Sequence, residues 1–293
     1  MMQTRRIGEA TVTRILEYAA PTHDPAFLFP DLAQAELDRH ASWLAPHHYI
    51  APMNRLIVTI QLWILRIGGD VIVIDTGVGN RKPRAAARMH MLNTLMLPWL
   101  EAAGAAPDKV THVVHTHLHS DHVGWDTVAV DGRWVPTFPK ARYLLPKTDF
   151  DHYRAEAAQR VNPIIDQAFA DSVMPVIEAG LADFITDQRE IAGGLIVEPA
   201  PGHSPGQLTY RLRSQGEEAI FSADVMHSPL QVVMPDLNTS YCIDPAQARA
   251  SRAALLARAA QREALIMPMH FGAPHCGYIR RQGEGYVFEG ATW

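Results

Sequence analysis

Thr116-His117-Leu118-His119-Ser120-Asp121-His122 sets three imidazoles and one carboxylate within six consecutive residues, His117 to His122. These are side chains that bind zinc and similar borderline cations. The preceding stretch, Val110–Thr116, reads as a buried strand, so the cluster stands where a strand runs out into a loop. His117 and His119 have the two-residue spacing that shares one face of extended chain. Asp121 and His122 are adjacent and would diverge on a strand. On a loop or a helix start both can turn to a second metal. A solvated His-rich loop is the bland alternative, and the density of ligand types weighs against it.

Composition sets the bounds. The chain has 293 residues, 47% hydrophobic and 19% charged, which fits a globular protein with a large core. Its net charge of -5, with no basic run, argues against nucleic acid or another polyanion as partner. No apolar h-region follows Met1-Met2-Gln3-Thr4-Arg5-Arg6, so no signal peptide is read. The longest apolar stretch, Leu56–Ile67, contains Thr59, Gln61 and Arg66 and is too short to span a bilayer, so no membrane partner is expected. Cys242 and Cys276 are the only cysteines, which excludes a disulfide framework and makes the cytoplasm the expected location. Cys276 reads as a small buried residue rather than a site residue, despite His270 and His275 nearby.

Residues 1–54 read as an N-terminal arm packing on a catalytic domain of residues 55–293. The arm, rich in Pro, His and aromatics, is placed over the site or at a homodimer contact. Leu56–Ile67 and Val71–Asp75 read as strands joined by a Gly68-Gly69-Asp70 hairpin turn. Arg84–Ala103 has helical spacing, stopped at Gly104 and kinked or restarted at Pro98. Arg142–Leu145 is a short strand, and Lys147–Gly180 is mostly helical with breaks at Pro163 and Pro175. Strands follow at Leu195–Glu198, Gln207–Arg213 and Ala219–Ser222. Asp244 caps a helix that opens on Pro245 and runs to about Arg262, and strands at Ala264–Met267 and Tyr286–Phe288 close the chain. This order predicts two sheets with helices outside, in two pseudo-equivalent halves.

Four further ligand-type residues each follow a strand-like run: Asp75, His203, Asp224 and His270. Strand ends are where a rigid scaffold presents ligands at one rim. The glycines of Pro201-Gly202-His203-Ser204-Pro205-Gly206 let the backbone turn tightly beside a metal.

This set, His117-x-His119-x-Asp121-His122 followed by His203, Asp224 and His270, with Asp75-Thr76-Gly77 upstream, resembles the metallo-β-lactamase fold superfamily. The resemblance covers about Leu56 to Phe288. It implies an α+β fold, an αββα four-layer sandwich, with two divalent metal ions at the sheet edge and zinc the default. It implies that His117, His119 and His203 bind one ion, that Asp121, His122 and His270 bind the other, and that Asp224 bridges them. Asp75 would orient a ligand histidine. Two divalent ions carry +4, while two carboxylates and a bridging hydroxide carry -3. The residual positive charge makes the ions Lewis acids and draws the water pKa towards roughly 7.

Within the superfamily the spacing is similar to N-acyl homoserine lactone lactonases. The run from Asp224 through His227 and Gln231 to His270, Pro274 and Gly285-Tyr286 is more similar to methyl parathion hydrolase. Gly124-Trp125-Asp126 and Trp134-Val135-Pro136-Thr137-Phe138-Pro139 fit hydrolytic chlorothalonil dehalogenase, which belongs to similar stock. Lactonases of this type place a tyrosine three residues after the bridging aspartate, where this chain has His227. Class B β-lactamases use a cysteine ligand where Asp224 stands.

The reading is therefore a hydrolase using a metal-bridging hydroxide on a small, largely apolar ester-like substrate, a lactone or an organophosphate. Asp121, Asp224 and His227 are the catalytic candidates. A nuclease or phosphodiesterase of the same fold is disfavoured by the acidic balance. A sensor that kept the metals without turnover is disfavoured by the intact ligand set. Among the other histidines, His112 and His115 read as packed on their strand, His47-His48 as a surface or interface pair, and His275 as solvent-facing. Trp99, Trp125, Trp134 and Phe271 read as core before pocket.

Overall fold

The computed structural model describes residues 2–159 and 167–293. Two compact units make up the chain: Met1–Glu17 with Ile60–Gly193, and Tyr18–Thr59 with Gly194–Trp293. The first strands are β1 (Met2–Ile7), β2 (Ala10–His23), β3 (Tyr49–Ile50), β4 (Arg55–Ile67), β5 (Asp70–Ile74), β6 (His112–Val114), β7 (Thr127–Val130), β8 (Arg133–Pro136), β9 (Arg142–Pro146) and β10 (Ala182–Ile185). They are followed by β11 (Glu190–Ala192), β12 (Leu195–Pro199), β13 (Leu208–Ser214), β14 (Glu217–Ala223), β15 (Leu265–Pro268), β16 (Gly277–Gln282) and β17 (Gly285–Gly290). Among the described residues the α-helices include α1 (Pro25–Leu28), α2 (Gln34–Leu44), α3 (Met96–Ala102), α4 (Lys147–Gln159), α5 (Met174–Glu178), α6 (Leu230–Val233) and α7 (Pro245–Arg262).

One sheet has the order β1-β2-β4-β5-β6-β9-β10, with β3 beside β4. The β4–β5 hairpin forms as its sequence indicates: Ile67 pairs with Asp70 across Gly68-Gly69, with Gly68 at φ +58°. β5, β6, β9 and β10 are parallel neighbours. Ile72, Val73, Ile74, Val113 and Val114 are fully buried, as parallel strands covered on both faces require. Parallel neighbours end at the same rim, so the chain leaving β5 and the chain leaving β6 emerge side by side. The core of this unit packs Ile64, Val73 and Val113 with Trp125, Phe138, Tyr143, Phe150 and Tyr153.

The other sheet runs β11-β12-β13-β14-β15-β16-β17. β12, β13 and β14 are antiparallel in turn, and β15 is parallel to β14. β12, β14 and β15 therefore point the same way and end at one rim. Against this sheet α7 buries Leu255, Leu256 and Ala259 beside Ile220 and Ile266. α7 starts as expected: Asp244 Oδ1 accepts from the amides of Ala246 (3.0 Å) and Gln247 (2.9 Å), and Pro245 follows the cap. Within residues 18–54, Leu28, Phe29, Leu37, Leu44 and Tyr49 form a buried cluster with Leu56, Val58, Leu230 and Leu237.

Two expectations are corrected. The helix placed over Arg84–Ala103 is confined to α3, with one 3-10 turn at Ala87–Met89. The stretch before α3 folds back as a loop because stronger partners hold it. Arg84 forks onto Asp171 (2.5 and 3.0 Å) beside the buried Lys82, and Asn80 bonds both backbone groups of Thr94 (2.7 and 2.9 Å). Pro175 does not break its helix. A π-helical turn over Phe169–Val173 leads directly into α5, a widening that accommodates the missing proline N–H. The break at Pro163 lies outside the described residues.

Candidate metal centre

In the first unit, the loops leaving β5 and β6 are joined by backbone bonds. Thr76 N donates to His122 O (2.7 Å), Trp125 N to Thr76 O (2.9 Å) and Gly124 N to Gly77 O (2.7 Å). Asp75 stands at the strand end with φ +52°, a left-handed backbone that a non-glycine residue adopts at a cost and that here turns its carboxylate inward. Its Oδ1 accepts from Thr116 N (2.8 Å), and its Oδ2 from Thr116 Oγ1 (2.7 Å) and His122 Nδ1 (2.8 Å). Asp75 thus orients a histidine of the cluster, as the resemblance implied.

These bonds fix tautomers. Thr116 has one hydroxyl proton, and it goes to Asp75; the Thr116 oxygen therefore accepts from His117 Nδ1 (3.0 Å). His117 Nε2 is left as a lone-pair donor, 3.0 Å from His119 Nδ1. The other nitrogen of His119 lies 2.8 Å from the Tyr153 hydroxyl. With His122 Nδ1 donating to Asp75, His122 Nε2 is also a lone-pair donor, 4.0 Å from Asp121 Oδ1. Asp149 on α4 accepts from Leu118 N (3.3 Å) and steadies the segment between the first two imidazoles.

Behind them lies a buried ion pair. His115 Nε2 is 3.0 Å from Asp126 Oδ2. Burial alone would lower this imidazole, but Asp126 and Asp75 beside it outweigh burial and push it up to about 9. Burial raises the Asp75 carboxyl, yet His122 and His115 hold it below the usual carboxylate range.

In the second unit, His203, Asp224 and His270 leave β12, β14 and β15 at their shared rim. Gly202, at φ +130°, lets the His203 loop lie against α7; a Cβ there would stand 2.2 Å from Ala248 N. Ala223, at φ +50° beside a register shift, turns Asp224 out of the strand. Three imidazoles face its carboxylate through Nε2: His203 at 3.3 Å, His227 at 3.2 Å and His270 at 3.0 Å. His270 Nδ1 donates to the Thr59 carbonyl (2.6 Å), so a neutral His270 presents a lone pair to a carboxylate. Lone pair facing carboxylate is the arrangement a cation satisfies. Asp224, His227 and His270 form a group able to hold a metal ion. His227 also stacks on His270 with ring centroids 4.9 Å apart, and the Tyr241 ring lies 5.9 Å beyond it.

The structure thus places every sequence-derived site residue in one of two His/Asp clusters, one per unit. Both are suited to metal binding. Other histidines are reassigned: His275 is buried, with Nδ1 2.9 Å from Phe271 O, and of the His47-His48 pair only His47 is exposed. His115 is packed and paired as expected, and Cys276 is buried.

Sequence reasoning missed three side chains. Tyr153 reaches His119 from α4. Arg252, buried on α7, holds the chain after Asp224 through the carbonyls of Val225 (2.9 Å), Pro235 (2.6 Å) and Leu237 (2.8 Å). Glu17 on β2 accepts from Val78 N (2.6 Å), Gly79 N (3.3 Å) and Trp125 Nε1 (2.6 Å). Burial drives the Glu17 carboxyl up to about 7 against the pull of those three donors. A lone Glu in the apolar run of β2 was the only visible signal.

Comparison with known proteins agrees with this architecture. Hydrolase AbOPH of the beta lactamase superfamily superposes with a TM-score of 0.82 at 23% identity, covering 100% of this chain and 98% of that one. AidC, a dizinc quorum-quenching lactonase solved with its product N-hexnoyl-L-homoserine, gives 0.80 at 21% identity with the same coverage. Such likenesses show the fold, and the α+β class read from the sequence is the one observed. The probable metallo-hydrolase YybB of Bacillus subtilis (strain 168) is 24% identical over 191 residues, 62% of this chain and 72% of the relative. The family model for the metallo-beta-lactamase superfamily matches residues 59–270, a span that opens at the carbonyl holding His270 and closes on His270 itself. The chain belongs to the metallo-beta-lactamase superfamily.

Proposed function

We propose that this protein is a dinuclear metal-dependent hydrolase of small, largely apolar ester-like substrates, of the lactone or organophosphate class. In this reading His117, His119 and His203 hold one zinc ion, Asp121, His122 and His270 hold the second, and Asp224 bridges them. One observation carries it: Thr116, Asp75 and the Thr59 carbonyl each take the Nδ1 proton of a ligand histidine, leaving Nε2 of His117, His122 and His270 as lone-pair donors. All three fixed tautomers leave an Nε2 lone pair, the form in which imidazole binds a metal. Membership in the superfamily supports the same reading, as does the likeness to proteins described as a hydrolase and a dizinc lactonase.

Bound there, two zinc ions would supply Lewis acidity and lower the pKa of water to roughly 7. The chain's own residues set the geometry. Asp75 holds the His122 ring through Nδ1, and the Thr59 carbonyl holds His270. In this reading His227, three residues after Asp224 and with its Nε2 3.2 Å from that carboxylate, would hydrogen-bond the oxygen of the substrate on which charge develops.

The test is turnover of a panel of N-acyl homoserine lactones, aryl phosphotriesters and β-lactams by zinc-loaded protein. The expected result is hydrolysis of a lactone or a phosphotriester that stops on chelation, and falls at least about 100-fold in Asp224→Ala. Full zinc occupancy with no turnover across the panel would mark a binding protein and overturn the proposal.

A further inference from the structure

The two halves of the His117–His122 loop are anchored differently. The His117–His119 half is held by α4, through Asp149 on Leu118 N (3.3 Å) and Tyr153 on His119 Nε2 (2.8 Å). Apart from the Asp75–His122 bond and the amide of His122 on His119 O (3.0 Å), the Asp121–His122 half is held by the loop after β5, through Thr76 N (2.7 Å) and Thr76 Oγ1 (3.1 Å) on His122 O and Trp125 N on Thr76 O (2.9 Å). One side chain from outside both loops fastens them together. Glu17 takes Val78 N and Gly79 N of the first loop (2.6 and 3.3 Å) and the indole N–H of Trp125 in the second (2.6 Å). Trp125 lies three residues beyond His122. The fit is close: a Cβ on Gly77, itself at φ +64°, would stand 2.2 Å from Glu17 Oε2.

A carboxylate suits this place because all three partners are donors. Gln offers one acceptor oxygen, and its NH2 would face an N–H group, leaving a buried donor opposed by another donor. An apolar residue would avoid the desolvation of the carboxylate but would leave the Val78, Gly79 and Trp125 N–H groups buried without an acceptor. The charge has a use if the two loops must keep a fixed spacing.

We propose that Glu17 is a positioning residue for the metal ion held by Asp121 and His122, setting that arm of the loop by clamping Val78, Gly79 and Trp125. This rests on the dinuclear reading above. It separates the two ions: the clamp governs the Asp121–His122 ion, while the α4 anchors keep the His117–His119 ion independent of it.

The experiment is zinc binding by the whole protein at pH 8, by competition with a chromophoric chelator and by metal analysis, for wild type, Glu17→Gln and Gly77→Ala. Gly77→Ala displaces the same carboxylate by a backbone route. The expected result is two zinc equivalents in wild type. In both variants one equivalent should be bound about tenfold more weakly and the other unchanged. Thermal melting of the metal-free proteins in chelator shows that the variants are folded at the temperature used; if Glu17→Gln is not, Gly77→Ala and Trp125→Phe, which removes a single donor, carry the comparison. Two equivalents in every folded variant at wild-type affinities, or both equivalents weakened alike, would overturn the proposal and leave Glu17 a structural residue. A wild-type protein that takes up no zinc would overturn the dinuclear reading itself, and this proposal with it.

Discussion

At the scale of single residues, His227 is the most informative position. It stands where lactonases of similar spacing carry a tyrosine, its Nε2 is 3.2 Å from Asp224, and its ring stacks on His270. His227→Ala is expected to lower kcat by roughly 10- to 1000-fold with zinc content intact, the signature of a lost bond to a developing oxyanion. Loss of zinc in that variant would instead make His227 part of the ligand shell, and an unchanged kcat per folded molecule would leave it a packing residue. The ligand-type residues themselves were legible because their chemistry is dense in sequence, His117 to His122, or follows a strand-like run, as with His203, Asp224 and His270. Glu17, Tyr153 and Arg252 were not legible. Their partners are 61, 34 and 27 residues away in Val78, His119 and Val225, and a single buried Glu, Tyr or Arg carries no local signal.

At the scale of elements, what the sequence states locally is what the structure keeps. The Gly68-Gly69 turn and the Asp244-Pro245 helix start depend on bonds between near neighbours, and both form where expected. Asp244→Ala should destabilise the protein by about 1 kcal/mol, by leaving the Ala246 and Gln247 amides without their cap, as read from urea denaturation of the metal-free protein. An unchanged midpoint would show that water satisfies those amides equally well. The helical spacing of residues 84–95 misled because its decisive partner, Asp171, lies 87 residues from Arg84. A buried bidentate pair outweighs a propensity difference of a few tenths of a kcal/mol per residue. Pro175 misled for the opposite reason: a proline near a helix start is tolerated where the preceding turn widens. β1 and the β7–β8 hairpin were not read at all: β1 carries only polar side chains between Met2 and Ile7, and β7 and β8 are four-residue strands of mixed burial.

At the scale of the whole molecule, the buried His48 gives stability a pH dependence whose sign follows from its burial. Burial pushes the His48 imidazole down to about 3, with His47 and His275 adding to the fall. Its folded pKa lies below the unfolded value near 6.5, so the unfolded state binds more protons between about pH 3 and 6.5. The His48 contribution is fully present above pH 6.5 and is lost as pH falls towards 3. His48→Gln should therefore lose less stability than wild type between pH 7 and 4 in urea denaturation of metal-free protein. Parallel curves for the two proteins would contradict this assignment.

Each of two sheets of separate strand order delivers a His/Asp cluster from its own strand ends, and the proposed function requires two metal ions. Titrating metal-free protein with zinc while following hydrolysis of the best lactone or phosphotriester measures how many ions turnover needs. Activity should continue to rise through the second equivalent and then stay level. Activity complete at one equivalent, or full turnover in the presence of chelator, would contradict the two-ion requirement.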